Sequence, residues 1–316
     1  MPTINILQPG TEGNPHRTPV IDPSGITRKY LDLSYTPDLP HPMRRLDVYL
    51  PEDGDGPFPV VIYMHGGGFV GGLKNDAHAA GYMEALDEGF AFVGVEQRLC
   101  TPQPDGSFSP EGKFPGPLYD LKAAIRFLRA NAAQYKLDPD RFALLGTSAG
   151  GYHVAMAAAT QDVPAMYDES LGFADVSGHV HAVVDLFGVG DLVLQSAYSD
   201  QMIANPPADY PVFLLQNFAD VFFGVPCQDN TNMTYFANPE TWVSPGLPPM
   251  LIQMGAADMV VPVECARRLA KRIEAVCGKG RADYDEFPDF AHGDPGFHDP
   301  ANHKRIFDWL KEKLGV

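Results

Sequence analysis

The stretch RFALLGTSAGGYHV, residues 141–154, places Ser148 between two glycines directly after a short apolar run. The apolar run predicts a buried strand, and the alanine-rich segment after it predicts a helix. A tight strand-to-helix turn lifts a serine side chain out of a sheet, and Gly146 and Gly150 leave the room that such a turn needs. A Gly-x-Ser-x-Gly alone is only a hypothesis. Its surroundings decide whether Ser148 is a nucleophile or a loop serine.

The rest of the chain alternates strand-like and helix-like segments, which is typical of a mainly parallel sheet flanked by helices. Two early segments, RKYLDLSYTP and MRRLDVYLPE, predict an antiparallel pair of strands. Six further strands are predicted in FPVVIYM, FAFVGVEQRL, RFALLG, HAVVDLFG, PPMLIQMG and ADYDEFPDF. We therefore predict a single α/β domain over residues 1–316, built on an eight-stranded sheet.

Two segments interrupt this alternation. Residues 1–26 hold several prolines and glycines and are expected to wrap over the surface. Residues 189–247, between the sixth and seventh strands, are too long and too apolar for a simple crossover. We interpret them as an inserted cap over a binding site. The segment contains these aromatic residues: Tyr198, Tyr210, Phe213, Phe218, Phe222, Phe223, Tyr235, Phe236 and Trp242.

Charge and composition exclude several classes of partner. The net charge of −17 at 316 residues argues against a nucleic-acid backbone or an anionic membrane surface as partner. No apolar run of transmembrane length is present, and the first residues lack the pattern of a signal peptide. These features predict a cytoplasmic protein with no membrane partner. A homo-oligomer is compatible with the sequence.

The four cysteines show neither a C-x-x-C motif nor the spacing of a zinc site. We expect free, mostly buried thiols, with a pairing of Cys227 and Cys277 as the alternative. No H-E-x-x-H motif and no calcium-binding loop occur. The sequence therefore predicts no metal and no cofactor.

A second glycine-rich segment, HGGGFVGG at residues 65–72, follows the third predicted strand of the sheet. Consecutive glycines let backbone N–H groups point at a developing oxyanion without interference from side chains. A phosphate site is the alternative, but the segment matches neither the P-loop nor the dinucleotide-binding pattern. Together with Gly-x-Ser-x-Gly downstream, it favours acyl-transfer chemistry.

In the order HGGGF, QRL, GTSAGG, GAADMVVP and FAHG, the chain resembles the α/β-hydrolase fold from about residue 28 onward. The similarity is to serine esterases with an HGGG loop, namely the hormone-sensitive-lipase-like esterases and bacterial carbohydrate esterases. VEQRL stands where the hormone-sensitive-lipase type usually reads D-Y-R-L-A-P-E, and Thr147 stands where that type often carries Asp. Both departures favour the carbohydrate-esterase-like members.

The resemblance implies a catalytic triad in the chain order Ser, Asp, His. It points to Ser148 as nucleophile and to Asp258, after the seventh strand, as the orienting acid. His292, beyond the last strand, is the expected base, and His298 is the alternative. The resemblance further implies an oxyanion hole made by backbone N–H groups of these residues: Gly67, Gly68 and Ala149.

The resulting hypothesis is a carboxylesterase that hydrolyses short-chain acyl esters of a small molecule or oligosaccharide, with acetyl or feruloyl esters of plant polysaccharide as the specific guess. Phe69 and Trp242 are the predicted substrate-binding residues. Two alternatives remain: a serine peptidase of the prolyl-oligopeptidase type, and a non-catalytic binding protein on a hydrolase scaffold. The peptidase type usually carries a β-propeller, and no repeat of that length occurs here.

Overall fold

The strands of the described residues form two sheets. The computed structural model describes residues 4–11, 18–208, 210 and 214–316. The small sheet pairs β1 (Asn5–Leu7) with β2 (Val20–Asp22) in antiparallel fashion. The large sheet has eight strands: β3 (Lys29–Ser34), β4 (Arg45–Tyr49), β5 (Phe58–Met64), β6 (Ala91–Val95), β7 (Leu137–Thr147), β8 (Ala182–Leu186), β9 (Met250–Gly255) and β10 (Ala282–Phe287).

The large sheet is mainly parallel, as the sequence predicts. Its spatial order is β10-β9-β8-β7-β5-β6-β4-β3. Only the pairs β3–β4 and β4–β6 are antiparallel, which agrees with the predicted opening pair. The strands β8 and β9 are buried along their whole length, as strands covered on both faces must be, and this explains their continuous apolar runs. The prediction of an eight-stranded α/β fold is confirmed.

The helices pack on this sheet and on one another. α3 contacts β7 and β8, and also packs against α2. One apolar face of α2, which includes Leu121, Ile125 and Leu128, is fully buried. The helices are α1 (Ala77–Tyr82), α2 (Gly116–Ala130), α3 (Ala149–Ala159), α4 (Leu192–Ala204), α5 (Phe218–Phe223), α6 (Thr231–Thr234), α7 (Pro239–Trp242), α8 (Glu264–Cys277) and α9 (Pro300–Leu314).

The two irregular segments contain local structure where it is described. In the N-terminal one, β2 is held to the body of the protein by a hydrogen bond from the N–H of Ile21 to the carbonyl of Asn75 (2.8 Å). The segment between β8 and β9 carries α4 to α7. Residues 1–3, 12–17, 209 and 211–213, and with them Phe213, lie outside the described residues. The function of 189–247 as a cap stays a prediction.

All four cysteines are free, so the alternative of a Cys227–Cys277 disulfide is not realised. Cys265 and Cys277 lie near the start and at the end of α8. Cys100, Cys227 and Cys265 are fully buried, where they pack as small apolar side chains.

Candidate active site

Ser148 occupies a strained turn between β7 and α3. Its backbone has φ 54° and ψ −119°, a conformation that non-glycine residues rarely adopt, and its N–H donates to the carbonyl of Leu186 (2.9 Å). A Cβ on Gly146 would lie 2.3 Å from the carbonyl oxygen of Gly150, and one on Gly150 would lie 2.0 Å from that of Met64. The turn therefore forms only with glycine at both positions.

Ser148, His292 and Asp258 are joined by hydrogen bonds. The Nε2 of His292 lies 2.9 Å from the Oγ of Ser148, and its Nδ1 lies 2.7 Å from the Oδ2 of Asp258. Asp258 follows β9, and its side chain is completely buried. Since β7 and β9 end at the same edge of the sheet, residues far apart in the sequence meet there. The structure thus brings together the three residues that the family resemblance implies.

The second oxygen of Asp258 is also engaged. Its Oδ1 accepts hydrogen bonds from the backbone N–H groups of Val260 (2.7 Å) and Val261 (2.9 Å). Phe187, whose φ is 45°, places its ring edge-on to the imidazole of His292 at 5.0 Å between centroids. The carboxylate and the phenyl ring together fix the orientation of the imidazole.

The alternative base His298 and two aspartates that flank His292 in the sequence, Asp289 and Asp294, lie elsewhere. His298 packs against Tyr82, and burial lowers the pKa of its imidazole to about 4. Asp294 accepts a hydrogen bond from the N–H of Gly296, and Asp289 is exposed. Among the described residues no hydrogen bond joins these three side chains to Ser148, so the alternative base His298 is not brought to Ser148.

The glycine loop after β5 lies directly against the turn of Ser148. A Cβ on Gly66 would approach the Cβ of Ser148 to 3.1 Å. Gly67, Gly68 and Phe69 follow with φ values of 109°, 60° and 66°. Neither Gly67 nor Gly68 donates its N–H to an acceptor within the described part of the chain. These two N–H groups therefore have no backbone partner beside Ser148.

Ala149 is the first residue of α3, so its N–H has no acceptor inside its own helix. It also lies at the positive end of the helix dipole, which favours a negative charge. Gly67, Gly68, Ala149 and Ser148 all line one cavity. The cavity beside Ser148 is thus lined by backbone from two segments, the glycine loop and the start of α3.

The side chain of His65 contacts the backbone of the glycine loop. Its Nδ1 lies 2.8 Å from the carbonyl oxygen of Gly66, and its Nε2 lies 3.1 Å from Glu96, in a fully buried position. Burial opposes the charge on His65, but the hydrogen bond and the charge of Glu96 dominate and raise its pKa. Glu96 belongs to the VEQRL segment. It stands where the D-Y-R-L-A-P-E pattern has Asp, so both sequences carry a carboxylate at this position next to the glycine loop.

The cavity above Ser148 has a volume of about 590 Å³ and a largely apolar lining. Its walls come from the glycine loop, from the segment between β8 and β9, and from the residues that follow Asp258. Apolar side chains from these segments include Phe187, Val189, Leu214, Phe218 and Val261. A cavity of this size has room for a small molecule or for the end of a larger one.

The two predicted substrate-binding residues differ in position. Phe69 lines the cavity, although it is almost fully buried and stacks on Phe222 with 4.0 Å between ring centroids. Trp242 does not line it: its Nε1 donates to the carbonyl of Phe236 (2.8 Å) at the end of α7. The structure therefore does not bring Trp242 together with Ser148. Phe187 and Gln195 line the cavity, and the sequence did not single them out.

Two further findings concern the described residues only. They contain no group of three or more histidine, cysteine, aspartate or glutamate side chains that could hold a metal ion. No helix among them is long and apolar enough to cross a membrane.

The chain is similar to proteins named as esterases. It is 28% identical over 280 residues to the esterase LipC of Mycobacterium tuberculosis, an alignment that covers 88% of this chain and 64% of LipC. The chain thus spans less than two thirds of the length of that curated relative. This similarity extends over nearly all of the fold described above.

Solved structures give the same fold. A bifunctional GH43-CE protein of Bacteroides eggerthii superposes with a TM-score of 0.73 at 26% identity, covering 90% of this chain and 38% of that chain. A truncated carbohydrate esterase from gut microbiota superposes with a TM-score of 0.74 at 24% identity, covering 92% and 98%. The family model described as BD-FAE matches residues 46–273, more than half of the chain. This protein therefore has the α/β-hydrolase fold and belongs to the BD-FAE family.

Proposed function

We propose that the protein is a serine carboxylesterase that hydrolyses short-chain acyl esters through an acyl-enzyme on Ser148. The observation that carries this proposal is the pair of hydrogen bonds that joins Ser148 to His292 (2.9 Å) and His292 to Asp258 (2.7 Å). A serine hydroxyl becomes a good nucleophile only when a base is placed to take its proton. The names of the relatives support the same activity.

In the acylation step, the Oγ of Ser148 attacks the ester carbonyl carbon and its proton passes to the Nε2 of His292. The buried carboxylate of Asp258 holds the imidazole and stabilises the imidazolium that forms. The backbone N–H groups of Gly67, Gly68 and Ala149 donate to the tetrahedral oxyanion. When the intermediate collapses, the bond to the leaving oxygen breaks and His292 returns the proton to the alcohol.

In the deacylation step, a water molecule takes the place of the alcohol. His292 removes one proton from the water as its oxygen attacks the acyl carbon. The second tetrahedral intermediate uses the same oxyanion donors. Its collapse releases the carboxylic acid, and the proton on His292 returns to the Oγ of Ser148. The enzyme is then regenerated with no net change in its protons.

The proposed substrates are small-molecule or oligosaccharide esters, with acetyl or feruloyl esters of plant polysaccharide as the specific class. Two structural relatives are named as carbohydrate esterases or as carrying a CE unit, which supports this class. The cavity of about 590 Å³ suits a short acyl chain better than a long one. A screen of p-nitrophenyl esters of increasing chain length, together with acetylated and feruloylated xylosides, measures both preferences.

A peptidase of the prolyl-oligopeptidase type and a non-catalytic binding protein are the competing proposals. Turnover of p-nitrophenyl acetate is measured against a prolyl p-nitroanilide, with Ser148→Ala as the control. The esterase proposal expects ester cleavage by the wild type only. Cleavage of the anilide alone would favour the peptidase, and no turnover of either would favour the binding protein. Undiminished ester turnover by Ser148→Ala would overturn the proposed mechanism.

A further inference from the structure

We propose that Phe218 limits the length of the acyl chain that the cavity above Ser148 accepts. The inference rests on the proposed esterase function and adds to it the residue that sets its acyl preference. Phe218 is the first residue of α5, and its side chain lines the cavity and is partly exposed. The phenyl ring is therefore a wall that a ligand in the cavity can touch.

The phenyl ring of Phe218 packs on the glycine loop. A Cβ built on Gly68 would lie 3.1 Å from the Cδ2 of Phe218, 3.4 Å from its Cγ and 3.5 Å from its Cε2. One edge of the ring therefore covers the backbone of Gly68. The N–H of Gly68 is a proposed donor to the oxyanion, and it has no backbone acceptor within the described residues. An ester whose carbonyl oxygen accepts from this N–H lies next to the ring.

The position of Phe218 is fixed by the packing of α5. One helical turn further on, Phe222 stacks on Phe69 of the glycine loop, with 4.0 Å between the ring centroids and 13° between the planes. Side chains four residues apart lie on the same face of a helix, so this face of α5 rests on the glycine loop. α4 also holds α5, because Ser196 donates a hydrogen bond to the Oδ1 of Asp220 (2.8 Å). Contacts with two neighbours thus keep the helix that carries Phe218 in place.

The proposed mechanism assigns the two parts of the ester to different sides of the cavity. The leaving oxygen must lie close to the Nε2 of His292, because that nitrogen returns the proton to it. Among the described residues, the ring that packs against this imidazole is that of Phe187, with 5.0 Å between the centroids. The alcohol part therefore lies on the side of His292 and Phe187. The acyl chain leaves the carbonyl carbon on the opposite side from the leaving oxygen, so it extends away from His292.

Phe218 stands on the side of the cavity that the acyl chain takes, since its ring packs on Gly68 and not on His292. The carbonyl oxygen of the ester faces the glycine loop, and the acyl chain begins one bond away from that carbonyl group. A growing acyl chain therefore meets the phenyl ring. Protein interiors are close-packed, so a chain that overlaps a ring held in this way is excluded. One side chain thus sets the limit on acyl length.

The test varies the acyl chain at a constant leaving group. kcat/KM is measured for p-nitrophenyl acetate, butyrate and hexanoate with the wild type and with Phe218→Ala. Each methylene that moves from water into apolar space raises kcat/KM by about fourfold. We expect Phe218→Ala to raise the ratio of kcat/KM for hexanoate to that for acetate by at least about tenfold, since the space of the ring becomes available to the chain.

Phe218→Trp tests the same limit in the opposite direction, and it decides alone if Phe218→Ala does not fold. A larger ring shortens the space, so the ratio of kcat/KM for butyrate to that for acetate should fall. Phe223→Ala is the matched control, because Phe223 lies on the same helix, is also partly exposed and does not line the cavity. It removes the same atoms and should leave both ratios unchanged.

A second series of esters, ethyl, butyl and hexyl acetate, varies the alcohol part at a constant acyl group. The ratios of kcat/KM within this series should be the same in Phe218→Ala and in the wild type. A gain for long alcohols alone would overturn the inference, since it would place the ring on the alcohol side. An equal gain in both series would overturn it as well, since it would place the ring at an entrance that both parts share.

The outcomes also separate this inference from the proposed function. If the wild type hydrolyses the esters and neither Phe218→Ala nor Phe218→Trp changes the acyl ratios, Phe218 does not limit the acyl chain and the esterase stands. If the wild type hydrolyses no ester, the proposed function fails and this inference fails with it.

Discussion

Asp258 uses its two carboxylate oxygens for different purposes. Oδ2 faces the Nδ1 of His292, whereas Oδ1 accepts two backbone N–H groups of the following residues. Because those N–H groups only donate, they require an oxygen at the Oδ1 position. An asparagine here must therefore turn its NH₂ group toward His292. The imidazole would then be forced to accept at Nδ1 and carry its proton on Nε2, where it cannot take one from Ser148.

We therefore predict that Asp258→Asn lowers kcat for p-nitrophenyl acetate by about 10⁴-fold, the loss that the equivalent change causes in a Ser-His-Asp protease. The unfolding temperature should change little, since the two side chains have the same shape. Asp289→Asn is the control and should retain full activity, because Asp289 is exposed although it stands only three residues before His292 in the sequence. A loss of less than tenfold in Asp258→Asn would show that this acid does not orient the base.

The glycine loop packs against the turn of Ser148 in a backbone conformation with positive φ values, which favours glycine. Gly67 has φ 109°, and a Cβ there would lie 2.1 Å from the carbonyl oxygen of Gly71. Gly71 has an ordinary φ, and its nearest contact for an added Cβ is 3.8 Å away. The same one-carbon addition is thus excluded at one position and tolerated at the other.

Gly67→Ala is predicted to lower kcat by about 10²–10³-fold, the range seen when one oxyanion donor is lost. The substitution must displace the backbone whose N–H groups face the nucleophile, so the effect falls on kcat more than on KM. Gly71→Ala should remain within about twofold of the wild type. Steady-state kinetics with p-nitrophenyl acetate measures both variants. Equal kcat values for Gly67→Ala and Gly71→Ala would mean that turnover does not depend on the backbone conformation of the glycine loop.

Prediction from the sequence was most accurate for elements whose structure is determined by residues adjacent in the chain. The turn at Ser148 depends on glycines two residues away, and the apolar runs of β8 and β9 fix those strands locally. Segment 189–247 depends on tertiary packing instead. The aromatic residues of this segment did not indicate that Trp242 would donate a hydrogen bond to the carbonyl of Phe236 and lie outside the cavity lining.

Gln195 and Phe187 show a second limit. A glutamine inside a helix belongs to no sequence motif that would mark it as a cavity residue. Its side chain is held here by the carbonyl of Val260, which lies 65 residues away in the sequence. Phe187 acts through its contact with His292, which no local pattern predicts. The triad itself was accessible only because family resemblance supplied the order of its members.

A buried carboxyl group, that of Asp185, makes the free energy of unfolding of the protein depend on pH. Asp185 on β8 is fully buried beside α3, with its Oδ1 close to the backbone of Gly151 and Gly188. Burial raises the pKa of this carboxyl from 3.8 to about 7, although a backbone hydrogen bond from Gly188 opposes the shift. The folded protein therefore holds this proton more tightly than the unfolded chain does. The stability from Asp185 is complete below pH 4 and is lost as the pH rises through 7.

Asp185→Asn should remove this dependence, because the amide does not titrate. Between pH 5 and pH 8, the free energy of unfolding of the wild type should fall by about 2–3 kcal/mol relative to the variant. Urea denaturation at the two pH values measures the difference. Asp175→Asn, at an exposed position, should follow the wild type. Parallel pH profiles of Asp185→Asn and the wild type would contradict the neutral buried carboxyl.

The large sheet brings the site together from distant parts of the chain. Ser148 follows β7, Asp258 follows β9 and His292 follows β10, so that the fold and not the local sequence sets their distances. The same sheet holds the glycine loop at the end of β5. The central claim is that these parts together transfer an acyl group to one serine.

Trapping the acyl-enzyme tests this claim most directly. The wild type is mixed with p-nitrophenyl acetate, quenched in acid during the first turnovers, digested and analysed by mass spectrometry. We predict one acetyl group on the peptide that contains Ser148, both in the wild type and in the control Ser170→Ala, which removes an exposed serine, and none in Ser148→Ala. An acetyl group on another side chain, or full ester turnover by Ser148→Ala, would contradict the account.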